Sequence, residues 1–562
     1  MFLKRACKKD QKRILIALAS IFFLILITCI VLIQKTNPPN NGVNSPFSER
    51  ERTKEAIELA LKRSRLSSES REKQYLEDQG SNYGYTQGKL KEINDEEHFH
   101  LQNKVYLDYT GAAPYPASVL TNSYSDLFQN FYANTHSRSQ PSLQTNDLIE
   151  KFRSKLLEYF NTESGQYSVV FTSGTTQALK LVGEAFPFSR NSKFAYLNQN
   201  HNSVIGIREY ALLKQASFHS LKEENIQQFI KDEKELGDVN ENKDKNENGQ
   251  GQGEGEGEGE EEEVTFNLFA YPAESNFDGS KYDLNWIKDF QSIKNNDWLV
   301  LLDAAAFLPS NKLDLTKYPA DFVTLSFYKM FGYPTGLGAL IINNDIVHLL
   351  QKSYFGGGTV VLVSDCTTFC VRHPNPSTKL EDGTLPFLDI ITAKYGLEFI
   401  ENLGIDQISQ HIYHLGKYLV KELSKLKWSN GNPLVEIYGK WDLNQDNNFN
   451  KQGGIVTFNL LDTNNNYLNF NDVQASLESE GINLRTGCHC NPGACTQYFD
   501  INEDDLKQAA EEKESCGDDI IFINNKPLGA IRASLGYGTM FEHIDYLIQV
   551  INMKYIEKED NF

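Results

Sequence analysis

The sequence predicts an α/β protein: a large domain built on a mainly parallel sheet, followed by a smaller α+β domain. Three observations carry that prediction. Five short apolar runs, YSVVFTS, KFAYLN, TFNLFAY, WLVLLDAA and DFVTLS, are each followed by turn or polar residues. Amphipathic helical stretches separate them, the pattern of strands buried on both faces with helices between. From about Gly404 onward the pattern changes to helices mixed with GGIVTFNLL and later strands, which places the smaller domain at about 404–562.

Ahead of the folded region, residues 14–33 (ILIALASIFFLILITCIVLI) form twenty uncharged positions after a basic segment at 1–13. Twenty helical residues span about 30 Å, the thickness of a bilayer core. With Gln34 and Lys35 following directly, the run reads as an uncleaved single-pass anchor rather than a signal peptide. A charged stretch at 34–81 reads as an exposed stalk, and the catalytic region is expected over 82–562. Within it, residues 231–263 turn to KDEKELGDVNENKDKNENGQGQGEGEGEGEEEE. Such a segment reads as a disordered acidic insertion.

Charge and cysteine usage narrow the function. With 55 Lys+Arg against 75 Asp+Glu the net charge is −20, which argues against nucleic acid as a partner. Eight cysteines in 562 residues are too few for a disulfide scaffold. Three of them, Cys488, Cys490 and Cys495, crowd together, which suggests chemistry or a metal. A C-x-C-x4-C zinc set lacks an evident fourth ligand. No Asn-x-Ser/Thr triplet with x other than proline occurs. Together with free thiols this favours a membrane protein whose catalytic domain faces the cytosol.

The chemistry sits at the ends of the strands, where α/β sheets place ligands. SGTT at 173–176 follows a strand and opens a helix, whose free N–H groups and positive dipole suit a phosphate. His201 follows KFAYLNQN and could stack on a flat ring. Asp303 ends WLVLLD, where a buried carboxylate needs a strong partner such as a protonated pyridine nitrogen. Lys329 lies just beyond DFVTLS; a lysine there is poor for packing but suited to forming an imine with a carbonyl, if its amine is held neutral. In IRASLGYG, Arg532 offers a planar fork for a carboxylate. Any one of these has a structural explanation, but together they describe a pyridoxal-phosphate site.

VYLDYTGAAPY, VVFTSGTTQALKLVGEAFPF, YPAESNFDGSKY, SFYKMFGYPTGLGAL, YFGGGT, LEDGT and LRTGCHCNPGAC resemble the molybdenum cofactor sulfurase family. The likeness is to that family's N-terminal, class V aminotransferase-fold cysteine desulfurase domain. The resemblance runs over about 82–551. It implies a homodimeric fold-type I enzyme that binds pyridoxal 5'-phosphate and takes sulfur from L-cysteine for an acceptor, the molybdenum cofactor or a carrier protein. It implies that Lys329 anchors the cofactor, Asp303 meets the ring nitrogen and His201 stacks on the ring. Thr175, Thr176, Ser326 and Tyr328 fall where relatives contact the phosphate, and Thr384 where a threonine reaches it from the other subunit. Asn276 matches an asparagine near the phenolic oxygen, and Arg532 the substrate clamp. Laid on the RTGHHC of related desulfurases, RTGCHC selects Cys490 as the nucleophile. Ala306 departs from the Gln or His that many relatives place on the cofactor. The family's molybdenum-cofactor-binding domain has no counterpart before Phe562, so a desulfurase or selenocysteine lyase-like enzyme serving another acceptor is the alternative. A silent membrane-tethered scaffold is opposed by the intact Lys329, Asp303, Arg532 and Cys490.

Overall fold

A computed structural model describes residues 71–73, 75–77, 83–85, 88–247, 265–294, 297–444, 448–515 and 520–557. The large sheet has seven strands: β1 (Tyr167–Thr172), β2 (Lys193–Leu197), β3 (Ser217–Leu221), β4 (Phe266–Pro272), β5 (Asp297–Asp303), β6 (Phe322–Ser326) and β7 (Gly338–Asn343). Their spatial order is β1-β7-β6-β5-β4-β2-β3. Only β7 runs against its neighbours, pairing antiparallel with β1 and β6; the remaining pairs are parallel. All five apolar runs form strands of this sheet.

Strand alternation divides the apolar residues between two cores. Val169, Phe171, Val300 and Leu302 face one side, with Phe152 and Leu156 of helix α1 (Gln140–Tyr159). Val170, Leu299 and Leu301 face the other, with Leu179 and Val182 of helix α2 (Thr175–Ala185). Each fully buried Val, Leu or Phe contributes about 1.5–3 kcal/mol relative to exposure, so both faces are committed and the strand register is fixed. Because β1, β2, β4, β5 and β6 run the same way, their C-terminal ends share one edge of the sheet. The residues that follow them meet there.

Helix α3 (Ile226–Glu247) carries the chain into the acidic segment. This corrects the expectation of disorder across 231–263. Residues 231–247 continue the helix, and Glu233 is buried and accepts from Lys193 Nζ at 2.6 and 2.9 Å. The backbone's i to i−4 bonds and this pair hold the segment despite its polarity. Residues 248–263 lie outside the described residues.

The smaller domain starts with helix α4 (Ile405–Leu423), which buries a full apolar face including Ile408, Ile412, Leu415 and Leu419. Its sheet contains β8 (Val435–Tyr438), β9 (Ile455–Leu460), β10 (Arg485–Gly487) and β11 (Ala530–Ser534), ordered β8-β9-β11-β10. Between β10 and β11 lies helix α5 (Pro492–Tyr498), and helix α6 (Phe541–Ile551) closes the domain.

The body begins ahead of residue 82, where the sequence suggested it would. Residues 71–73 and 75–77 are helical. Tyr75 Oη donates to the His414 carbonyl at 2.7 Å, and Arg71 pairs with the buried Asp545 at 2.9 Å. The expected membrane localisation is corrected: among the described residues no helix is long and apolar enough to cross a membrane. The apolar run at 14–33, on which that expectation rested, lies outside the described residues.

Candidate active site

At the C-terminal edge of the large sheet a cavity of about 260 Å³ is lined by Thr175, Thr176, His201, Asn276, Asp303, Ser326, Tyr328 and Lys329. The sequence singled out all of these. Ser173, Gly174, Gln177, Glu274, Ala305 and Ala306 complete its polar and small surfaces. Thr384 and Arg532 are not on the cavity wall, and neither is Cys490.

The loop between β1 and α2 builds an anion cradle. Gly174 takes φ +138°, a conformation that side chains rarely adopt, and a Cβ there would stand 3.3 Å from Ser326 Oγ. The Thr175 N–H donates to Ser326 Oγ at 2.9 Å, and the Thr175 and Ser326 hydroxyls lie 3.0 Å apart. Thr176 Oγ1 lies 2.9 Å from Ser203 Oγ. The Thr175 contacts tie the start of an eleven-residue helix to the end of β6, and Thr176 ties it to the short helix Asn202–Ile205. The first N–H groups and dipole of α2 face the cavity as an anion site.

Asp303, at the end of β5, is buried and accepts from the Ala305 N–H at 3.0 Å. Lys329 sits on the short helix Phe327–Phe331 that follows β6. Burial holds its amine below the ordinary lysine range; Asp303 opposes that shift, while Arg532 and Arg485 add to it. Burial also lowers His201, with Asp303 opposing and Lys329 and Arg485 adding to the shift. The Ser203 N–H donates to His201 Nδ1 at 3.1 Å, so the neutral ring carries its proton on Nε2. Burial pushes the Tyr328 hydroxyl up, with Arg485 opposing.

Arg532, on β11, is 1% exposed. Nη2 donates to Asp108 Oδ1 at 2.7 Å and Nη1 to the Asn276 carbonyl at 2.8 Å. Its buried Nε has no protein partner, which leaves a donor edge for a carboxylate. Arg485 is its cross-strand neighbour on β10 and is exposed.

Cys490 is exposed, and Cys488 and Cys495 are joined by a disulfide. The cluster therefore contains one free thiol, where the sequence suggested a set of unpaired ones. The scarcity of cysteines excluded a disulfide scaffold but not a local bridge across seven positions. His489 beside it is buried, and burial with Arg532 and Arg485 drives its imidazole far below the usual range. Thr384 is exposed and accepts from Asn134 Nδ2 at 3.4 Å.

Two further residues of the site went unassigned in the sequence. Asp108 lies in VYLDYTGAAPY, whose conspicuous acid before a turn was the available signal. Glu274 is buried, accepts from Asn311 Nδ2 at 3.2 Å, and is pushed up by burial, with Lys281 opposing. Its position beside Asn276 gave no signal, because its hydrogen-bond partner Asn311 is 37 positions away.

This architecture, with a lysine and an acid at neighbouring strand ends above a glycine-opened helix, defines a class. The aminotransferase class-V family model matches residues 105–235 and 262–547, and the chain belongs to that family. Among curated proteins it is similar to the molybdenum cofactor sulfurase of Bos taurus, 37% identical over 84% of this chain and 52% of the relative. The molybdenum cofactor sulfurase of Solanum lycopersicum is likewise 37% identical, over 87% of this chain and 60% of its own length. The chain thus spans between half and two thirds of these relatives. A cysteine desulfurase from Thermococcus onnurineus superposes with TM-score 0.63 at 21% identity, covering 83% of this chain and 97% of its own. The desulfurase CsdA of Escherichia coli gives 0.60 at 18% identity, covering 83% and 98%. At those identities the superpositions establish the fold.

Proposed function

We propose that this chain is a pyridoxal-phosphate-dependent cysteine desulfurase that removes sulfur from L-cysteine and serves sulfuration of the molybdenum cofactor. The carrying observation is Lys329. Its amine is held below the lysine range in the same cavity as a buried acid, a neutral histidine and a helix N-terminus. The relatives' names, molybdenum cofactor sulfurase and cysteine desulfurase, support the substrate and acceptor.

The cavity fits pyridoxal phosphate on its own chemistry. The Gly174 cradle, which a Cβ would crowd, suits the phosphate with Thr175, Thr176 and Ser326, and Tyr328 stands beside them. Asp303 suits the pyridine nitrogen, His201 the ring face, Asn276 the phenolic oxygen, and Lys329 is the covalent anchor. When bound, the cofactor supplies an electron sink for charge at the substrate's α-carbon.

The chain's own residues do the rest. The free Nε edge of Arg532, held by Asp108 and Asn276, receives the substrate carboxylate. Lys329 Nζ would move the α-proton of the substrate. The Cys490 thiolate attacks the sulfur of L-cysteine. A sulfur–sulfur bond forms, the carbon–sulfur bond breaks with its electron pair left on carbon, and protonation there yields alanine. Cys490 keeps the sulfur as a persulfide for the acceptor.

The functional unit in this reading is a homodimer. Val361, Leu362, Val363 and Phe369 are exposed on the hairpin that spans Val360–Val363 and Cys370–Arg372, just before Thr384. Exposed apolar residues gathered in this way suit a protein interface. In that homodimer Thr384 would serve the other copy's phosphate, the role the family resemblance implies for it.

The test is to incubate the purified chain with pyridoxal phosphate and L-cysteine and measure alanine and protein-bound sulfane sulfur. Both are expected, and Lys329→Ala should lose both along with the visible absorbance of the bound cofactor. Retention of that absorbance through an imine at another lysine would overturn the assignment.

A further inference from the structure

The loop that carries Cys490 is closed locally by a tight turn, in which the Asn491 N–H donates to the Cys488 carbonyl at 2.8 Å. His489 and Cys490 both take left-handed backbone, with φ of 54° and 57°. Non-glycine residues persist there when surrounding contacts over-determine them. The Cys488–Cys495 bridge closes the base of the loop.

One side chain from the large domain brackets the nucleophile. Asn276 Nδ2 donates to the His489 carbonyl at 2.6 Å, on one side of Cys490. Asn276 Oδ1 accepts from Asn491 Nδ2 at 3.1 Å, on the other. Asn491 is itself fixed, because its Oδ1 accepts from the Ala494 N–H at 3.2 Å and caps α5. The Asn202 N–H, next to His201, donates to the Cys490 carbonyl at 2.8 Å. Asn276 also lines the cavity, and its carbonyl holds Arg532.

We propose that Asn276 is the positioning residue for the Cys490 loop, clamping the His489 carbonyl on one side of the nucleophile and the Asn491 side chain on the other, whether or not the cavity is filled. This extends the desulfurase reading, in which Cys490 accepts the sulfur. A side chain that served only the cavity's ligand would need neither bond to the loop. Here both ends of the carboxamide are engaged by it. One N–H of Nδ2 remains to face a bound acceptor, so a single residue joins the cavity, the substrate arginine and the nucleophile.

Hydrogen–deuterium exchange on the full chain freed of cofactor tests this without calling on turnover. In Asn276→Ala, peptides within 485–495 should exchange at least about tenfold faster than wild type, while peptides from Ile405–Leu423 keep their rate. Asn276→Asp has the same shape and still accepts from Asn491, but it cannot donate to the His489 carbonyl. It should accelerate the same peptides about threefold or more, and it decides the matter if the alanine variant loosens Ile405–Leu423 as well. Unchanged exchange over 485–495 in Asn276→Asp would overturn the proposal and leave Asn276 a role only towards the cavity. A chain that releases no alanine would defeat the desulfurase reading, yet the exchange result would stand on its own.

Discussion

Asp303→Asn isolates the electrostatic coupling on which the cavity depends. Asp303 and Lys329 line one cavity of about 260 Å³. At an effective dielectric of about 20, two unit charges about 4 Å apart interact by about 4 kcal/mol, and the energy falls inversely with their separation. The sign follows directly: Asp303 stabilises the Lys329 ammonium and opposes the lowering caused by burial. Asparagine keeps the acceptor for the Ala305 N–H but removes the charge. The Lys329 pKa should therefore fall further, and free amine should appear at lower pH than in wild type. Competitive acetylation of the cofactor-free chain across pH, read at the Lys329 peptide by mass spectrometry, reports the midpoint. A downward shift of the Lys329 midpoint is expected. An unchanged or raised midpoint would refute the coupling, and with it the placement of both groups in one desolvated site.

The remaining predictions concern sulfur, the helix beside the acidic segment, and the second copy. Cys490→Ala should still bind the cofactor but accumulate no sulfane sulfur, as read by peptide mass spectrometry; sulfur found on Cys488 or Cys495 in wild type would move the nucleophile. Lys193→Ala leaves Glu233 buried without its cation and should cost about 2 kcal/mol in urea denaturation. Replacing residues 248–263 with a short Gly/Ser linker should leave alanine release within about twofold, since loop closure depends weakly on length. Leu362→Asp should halve the mass seen by light scattering and weaken cofactor retention, whereas a wild-type chain that sediments as a monomer would remove the role proposed for Thr384.

What the sequence showed most clearly was what period and burial express locally. WLVLLD and DFVTLS could bury both faces only inside a helix-covered sheet, and they became adjacent strands ending in Asp303 and three residues before Lys329. A parallel sheet then brings such ends to one edge, so the cavity wall was readable from strand termini alone. SFHSL was missed because its residues are mostly exposed at the sheet margin, where no apolar period marks a strand. GALIIN was missed because it directly follows a glycine-rich turn and alone runs against the sheet.

The unread parts of the site are contacts between segments far apart in the chain. Asp108 meets Arg532 across 424 positions, and Asn276 meets His489 across 213. No local period encodes either pairing. The helix through residues 231–247 was hidden for a related reason: its polar composition resembles coil, and its buried anchor, Glu233, is explained only by Lys193 on β2. The same limit applies to the cysteines. Spacing shows that Cys488, Cys490 and Cys495 lie close together, but which two can bond depends on the turn that Asn491 and Asn276 impose. That turn sends the Cys490 side chain to the surface and leaves it the one free thiol among the three. Which of the three thiols stays free thus depends on a long-range hydrogen-bond pattern, which is why sequence spacing alone left zinc ligation open and only the likeness to RTGHHC pointed to Cys490, the nucleophile proposed above.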